Sequence, residues 1–137
     1  CAAAGNSGAN AGIDAPGMFD STLAVAAYRS DGKIATFSSG GPEVDFAMAG
    51  EKILSCAPNN NYVVMSGTSM ATPALAGYIA CVLSSRPNDS LIRKKAGMMA
   101  LLAENAEDRG ELGKDDRFGL GVPTGSDDIQ DQDHMFI

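Results

Sequence analysis

The segment that most restricts this chain is residues 68–85, where Ala, Leu, Ile, Val and Cys occupy nearly every helical face and only the two ends are polar. A helix with no polar stripe has no side to offer to water, so the pattern predicts a helix enclosed by other structure. Gly77 and the alanines within it lower helix propensity, which implies close approach of neighbouring backbone. No stretch of the chain approaches the ~20 apolar residues of a membrane span, so no membrane partner is expected.

The remainder supplies strands to cover such a helix. Residues 1–5 are small and apolar and read as the end of a buried strand, followed by a glycine-rich loop at 6–12. Residues 21–28 form a continuous apolar run, consistent with a strand buried on both faces. Residues 34–38 read as a further short strand and residues 44–48 alternate. Residues 53–56 and 62–65 are placed to pair as a hairpin across Pro58-Asn59-Asn60-Asn61. Arg86-Pro87-Asn88-Asp89 stops the long helix and caps a second over 90–104, with Ile92, Ala96, Met99 and Ala103 inward and Arg93, Lys94 and Lys95 in water. Asp115-Asp116-Arg117 reads as a solvated loop and residues 118–123 as a glycine-rich closure. The expected class is α/β, with one domain over residues 1–125 and an acidic, flexible tail over 126–137.

At 137 residues, with 45% hydrophobic and 20% charged side chains, the chain has ordinary globular composition. Its net charge of −7 argues against nucleic acid as a partner, because phosphate binding needs clustered Lys and Arg. The three cysteines, Cys1, Cys56 and Cys81, form no CxxC pair, and an odd number cannot close a full disulfide set; small buried packing thiols are expected.

Chemistry concentrates at Ser66-Gly67-Thr68-Ser69-Met70-Ala71-Thr72-Pro73, where a strand turns through glycine into the long helix. The free N–H groups and positive end of a helix stabilise negative charge beside a serine there. Gly67 lets a substrate backbone pass close, and Pro73 is expected within the first turn, where its missing N–H is not needed. The competing reading makes Thr68 or Ser69 a plain helix cap, which Ser and Thr commonly are. The local pattern alone favours the cap.

Wider motifs decide between them. Gly67-Thr68-Ser69-Met70-Ala71-Thr72-Pro73 resembles the active-site serine signature of the subtilisin family. Ala3-Ala4-Gly5-Asn6-Ser7-Gly8 resembles its oxyanion segment. Phe37-Ser38-Ser39-Gly40-Gly41-Pro42 with the stretch at 44–50, and Phe118-Gly119-Leu120-Gly121, resemble its intervening and closing motifs. The order agrees over residues 1–123.

The resemblance implies a three-layer α/β/α fold around a mostly parallel sheet, of which this chain holds the C-terminal part and lacks the N-terminal half. It implies a serine endopeptidase acting on peptides or proteins through an acyl-enzyme on Ser69, with Asn6 Nδ2 and the Ser69 N–H holding the oxyanion. Ala3, Ala4 and Gly5 would wall the pocket for the substrate residue before the scissile bond, with Gly67 and Thr68 also facing substrate. The family's Asp and His precede the oxyanion Asn, whereas the one histidine here, His134, lies in the acidic tail. The chain is therefore expected to be inactive without an upstream Asp- and His-bearing segment; the alternative is a catalytically dead module with a structural or binding role. The family's His after the signature proline is Ala74 here. Asp14 reads either as a loop carboxylate or as a residue at the back of that pocket. The hydrolysis needs no cofactor or metal; relatives often carry structural calcium, but no ligand set is assignable. The resemblance favours secretion.

Overall fold

The computed structural model describes residues 1–125, so the expected tail and His134 lie outside the described residues. Three parallel strands, β1 (Ala2–Ala3), β2 (Ala24–Tyr28) and β3 (Val44–Ala49), form a sheet in the order β1-β2-β3. Ala24, Val25, Ala26 and Ala27 are all fully buried, as the unbroken apolar run requires of a strand covered on both faces. Between β2 and β3 the register slips, pairing Ala24 with Val44 but Val25 with Phe46. Asp45 is the extra residue, and its Oδ2 accepts the Ala24 N–H at 2.9 Å, so the bulge leaves that amide satisfied.

The hairpin forms as expected, β4 (Ile53–Ala57) against β5 (Asn61–Met65). It turns through Asn59 at φ 62° and Asn60 at φ 59°. Asparagine tolerates that left-handed conformation better than most residues. The hairpin stands clear of the core, and so Cys56 is exposed. Cys1 is exposed too, Cys81 is half-buried, and all three thiols are free, which corrects the expectation of buried packing thiols.

The first helix, α1 (Thr68–Ser85), crosses all three parallel strands and has the expected bounds, but not the expected enclosure. Only Thr68, Ala71, Leu75 and Val82 are buried, a single stripe at helical spacing. Ala74, Ala76, Gly77 and Ala80 face solvent, and a methyl group on Gly77 would meet nothing within 4 Å. The reason is geometric: among the described residues, the sheet and the residues around the second helix cover one flank only. Pro73 is the sixth residue of α1, not a first-turn residue, and it deprives the Ser69 carbonyl of its usual helical donor.

Two further expectations change. No strand forms at 34–38. β1 ends at Ala3, leaving Ala27 without a neighbour on that side, and a turn fills the place: Ala35 N–H donates to Ala27 O at 2.8 Å, and Ser38 Oγ accepts the Ala27 N–H at 3.1 Å. The second helix, α2 (Lys95–Glu104), starts late, because Asp89 Oδ1 takes the Leu91 N–H and Lys94 is extended before the helix begins. Its buried face is Met98 and Leu102, with Ile92 buried ahead of it, while Ala96 is exposed. Lys95 is not a solvent lysine; its Nζ donates to Asp20 O at 2.7 Å and lies 3.8 Å from the buried Asp45 carboxylate.

One sheet face and the two helices share a core that includes Val25, Ala27, Phe46, Ala71, Leu75 and Leu102. The other face sets Ala26, Val44 and Ala47 against Phe118 and Val122. That second cover is held by a short antiparallel pair, β6 (Ala106–Glu107) with β7 (Val122–Pro123). The mostly parallel α/β architecture is thus present, and the described residues supply its sheet with one helical layer. Among the described residues no helix is long and apolar enough to cross a membrane.

Candidate active site

The loop leaving β1 and the start of α1 meet at the carboxyl end of the sheet. Gly67 N–H donates to Gly50 O at 2.8 Å, anchoring the helix start to the end of β3. The residue at the helix cap position is Gly67, which offers no side chain, so neither Thr68 nor Ser69 is the cap. The acceptor comes instead from Asn6, whose Oδ1 takes the Thr68 N–H at 2.9 Å and the Thr68 hydroxyl at 3.0 Å. Thr68 Oγ1 in turn accepts the Gly5 N–H at 3.2 Å. This clasp joins the loop after β1 to the helix start anchored on β3, the two edge strands of the described sheet. It engages the oxygen end of the Asn6 amide and leaves Nδ2 as its free donor.

A second clasp fixes the backbone on either side of Asn6. Ser39 N–H donates to Gly5 O at 2.9 Å, and Ser39 Oγ accepts the Ser7 N–H at 3.2 Å. Ser38 and Ser39 are fully buried, and Arg117 Nη1 donates to Ser38 O at 3.0 Å from behind. Arg117 belongs to the segment expected as a solvated loop. Asp115 organises it by accepting the Glu111, Arg117 and Phe118 N–H groups at 3.0, 2.6 and 2.7 Å. These supporting residues escape a sequence reading because polar residues beside glycine and proline look like surface. The one available signal was their position inside or beside motifs already matched to the family.

Ser69 is exposed at the second position of α1, beside the helix's positive end. Its N–H has no acceptor among the described residues, as expected for a first-turn amide. Ser69, Asn6, Ala3 and Gly5 line one cleft of about 650 Å³, together with Asp14 and Pro73. Thr68 also borders it, although its side chain is buried and committed to Gly5 and Asn6. Ala4 and Gly67 are buried and stand behind the lining rather than in it. The cleft therefore holds a serine hydroxyl and two N–H donors uncommitted among the described residues, Asn6 Nδ2 and Ser69 N. Among the described residues no group of three or more His, Cys, Asp or Glu could hold a metal ion, so no calcium ligand set is assigned there.

The family model described as "Subtilase family" matches residues 1–121. The minor extracellular protease Epr of Bacillus subtilis is 34% identical over 121 residues, covering 88% of this chain and 18% of that protein. Subtilisin E of Bacillus subtilis is 44% identical over 89 residues, 63% of this chain and 23% of that protein. Among solved structures, sphericase superposes with a TM-score of 0.78 at 28% identity, over 88% of this chain and 46% of its own. The chain thus spans less than a third of these curated relatives and about half of that solved structure. With Ser69 and Asn6 brought to one cleft at the carboxyl end of a parallel sheet, and a family match running from residue 1 to residue 121, the chain belongs to the subtilase family.

Proposed function

We propose that this chain carries the nucleophile and oxyanion hole of a secreted serine endopeptidase. The observation that carries the reading is the free pair of donors, Asn6 Nδ2 and the Ser69 N–H, beside the exposed Ser69 hydroxyl. In this reading Ser69 Oγ attacks the scissile carbonyl of a peptide or protein and gives its proton to a histidine from an upstream segment, oriented by an aspartate. The carbonyl π pair moves to oxygen, and the two donors hold that charge where it develops. Collapse expels the amine, which takes the proton from the histidine, and leaves an acyl-enzyme on Ser69 that water then hydrolyses. A serine without a base is a poor nucleophile at neutral pH, so the chain by itself is inactive in this proposal. Its partner is the segment that brings the aspartate and histidine.

A fluorophosphonate probe tests this. The full-length protein carrying both segments is expected to be labelled at Ser69, with labelling abolished by Ser69→Ala, while this chain alone stays unlabelled. Equal labelling of the isolated chain would remove the need for an upstream base. An unlabelled full-length protein would favour a subtilase module without activity.

A further inference from the structure

We propose, resting on the reading above, that Asp14 selects a lysine or arginine side chain on the substrate residue whose carbonyl Ser69 attacks. Asp14 lines the same cleft as Ser69 and Asn6. Its backbone is tied to the oxyanion segment, with its N–H donating to Ala4 O at 3.0 Å and its carbonyl accepting the Met18 N–H at 3.2 Å. Its carboxylate lies directly against Gly5, close enough that a methyl group there would collide with Asp14 Oδ2 and come within 2.9 Å of its Cγ. Gly5 has φ 115°, so the missing side chain serves both the backbone conformation and the room for the carboxylate.

What sets Asp14 apart is its place: among the described residues it is the one carboxylate that lines the Ser69 cleft. Asp45 holds the Ala24 N–H and faces Lys95, Asp31 is paired with Arg29, Glu107 with Arg109, and Asp115 accepts three backbone N–H groups. Asp14 has no ion pair and no side-chain hydrogen bond among the described residues. Among the described residues no Lys, Arg or His lines the cleft with it. The surrounding wall is Ala3, Gly5, Ala15 and Pro16, small apolar residues that leave length for a long side chain and cannot screen a charge. A lone carboxylate at the side of such a cleft attracts a cation and repels an acid. At the dielectric of a protein surface one such pair corresponds to roughly tenfold or more in selectivity.

The test uses the full-length protein and two readouts. Peptides differing only in the residue before the scissile bond are compared by kcat/KM, Arg and Lys against Leu, at low and high salt. The ratio is expected to favour Arg and Lys by about tenfold or more, to shrink with salt, and to fall toward one in Asp14→Asn. Independently, benzamidinium is expected to bind more tightly than benzyl alcohol, with the difference lost in Asp14→Asn and the alcohol unaffected. Cleavage of basic and neutral peptides alike would overturn this assignment and leave the hydrolysis standing. Asp14-dependent benzamidinium binding in a protein that neither hydrolyses peptides nor reacts with the fluorophosphonate would overturn the proposed hydrolysis and support the cationic subsite. Equal binding of the two probes would overturn the assignment in either case.

Discussion

At the scale of residues, Thr68 is the joint on which the proposed chemistry turns, although it presents nothing to substrate. Its hydroxyl bridges the Gly5 amide and the Asn6 carbonyl oxygen, so it sets where Asn6 Nδ2 points. Loss of an oxyanion donor costs about 10²–10³ in kcat, and Asn6→Ala is expected to show that loss. Thr68→Val keeps the β-branched shape but removes both hydroxyl bonds, while the backbone bond to Asn6 survives. Its expected effect is smaller, about tenfold in kcat with KM within about twofold, and Thr68→Ser is expected to restore most of it. A cycle in the full-length protein separates positioning from packing: in the Asn6→Ala background, Thr68→Val should cost little more in kcat. Additive losses would show that Thr68 acts by another route. This coupling could not be read locally, because Asn6 and Thr68 lie far apart in sequence and each alone looks like a turn or cap residue.

At the scale of elements, legibility followed how local the determining contacts are. Strand β2 was readable because a short unbroken apolar run ahead of a turn suits a strand covered on both faces, and the β4–β5 hairpin because Asn59 and Asn60 suit its left-handed turn. Residues 34–38 look like a strand, yet they form a turn that completes the β2 edge left open by the shortness of β1. The late start of α2 depends on a side-chain bond from Asp89 that no periodicity reveals. The turn after β2 carries a prediction of its own. Asp31 accepts from the Arg29 guanidinium and from Lys33 N–H, and the Arg29 hydrogen bond foremost lowers its pKa to about 2 from an ordinary 3.8. The unfolded chain therefore binds more protons between these values. The stabilisation is complete above about pH 4 and is lost as the pH falls through about 2. Because the pair is exposed, salt weakens it and its share of stability is small. Carboxyl NMR should place the Asp31 midpoint near 2 in the native chain, and Arg29→Gln should return it toward 3.8; an ordinary midpoint in the wild type would mean that the pair does not form in solution.

At the scale of the whole molecule, the contradiction between apolar sequence and exposed surface becomes a prediction about association. The chain leaves the Ala74, Ala76 and Ala80 flank of α1 open and raises a hairpin on which Leu54, Tyr62 and Val64 are 66%, 73% and 57% exposed. Among the described residues the outer edge of β1 pairs with no strand, although the far side of β3 is covered where Ala47 N–H meets Gly121 O and Leu120 N–H meets Asp45 O. Monomers rarely carry apolar patches beyond a few hundred Å², and open strand edges recruit other chains. The isolated chain should therefore bind a hydrophobic dye strongly and associate with rising concentration in size-exclusion chromatography with light scattering. Leu54→Thr with Val64→Thr should weaken association through the hairpin, and Ala80→Glu should weaken it through the helix. If the open α1 flank is instead the seat of the upstream segment, co-expression with that segment should reduce dye binding to the share the hairpin carries, and Ala80→Glu should then disrupt the pair while the hairpin variants leave it intact. A chain that stays monomeric and dye-silent on its own would show that neither surface is adhesive and would remove the structural argument for an upstream partner, leaving only the need for a catalytic base.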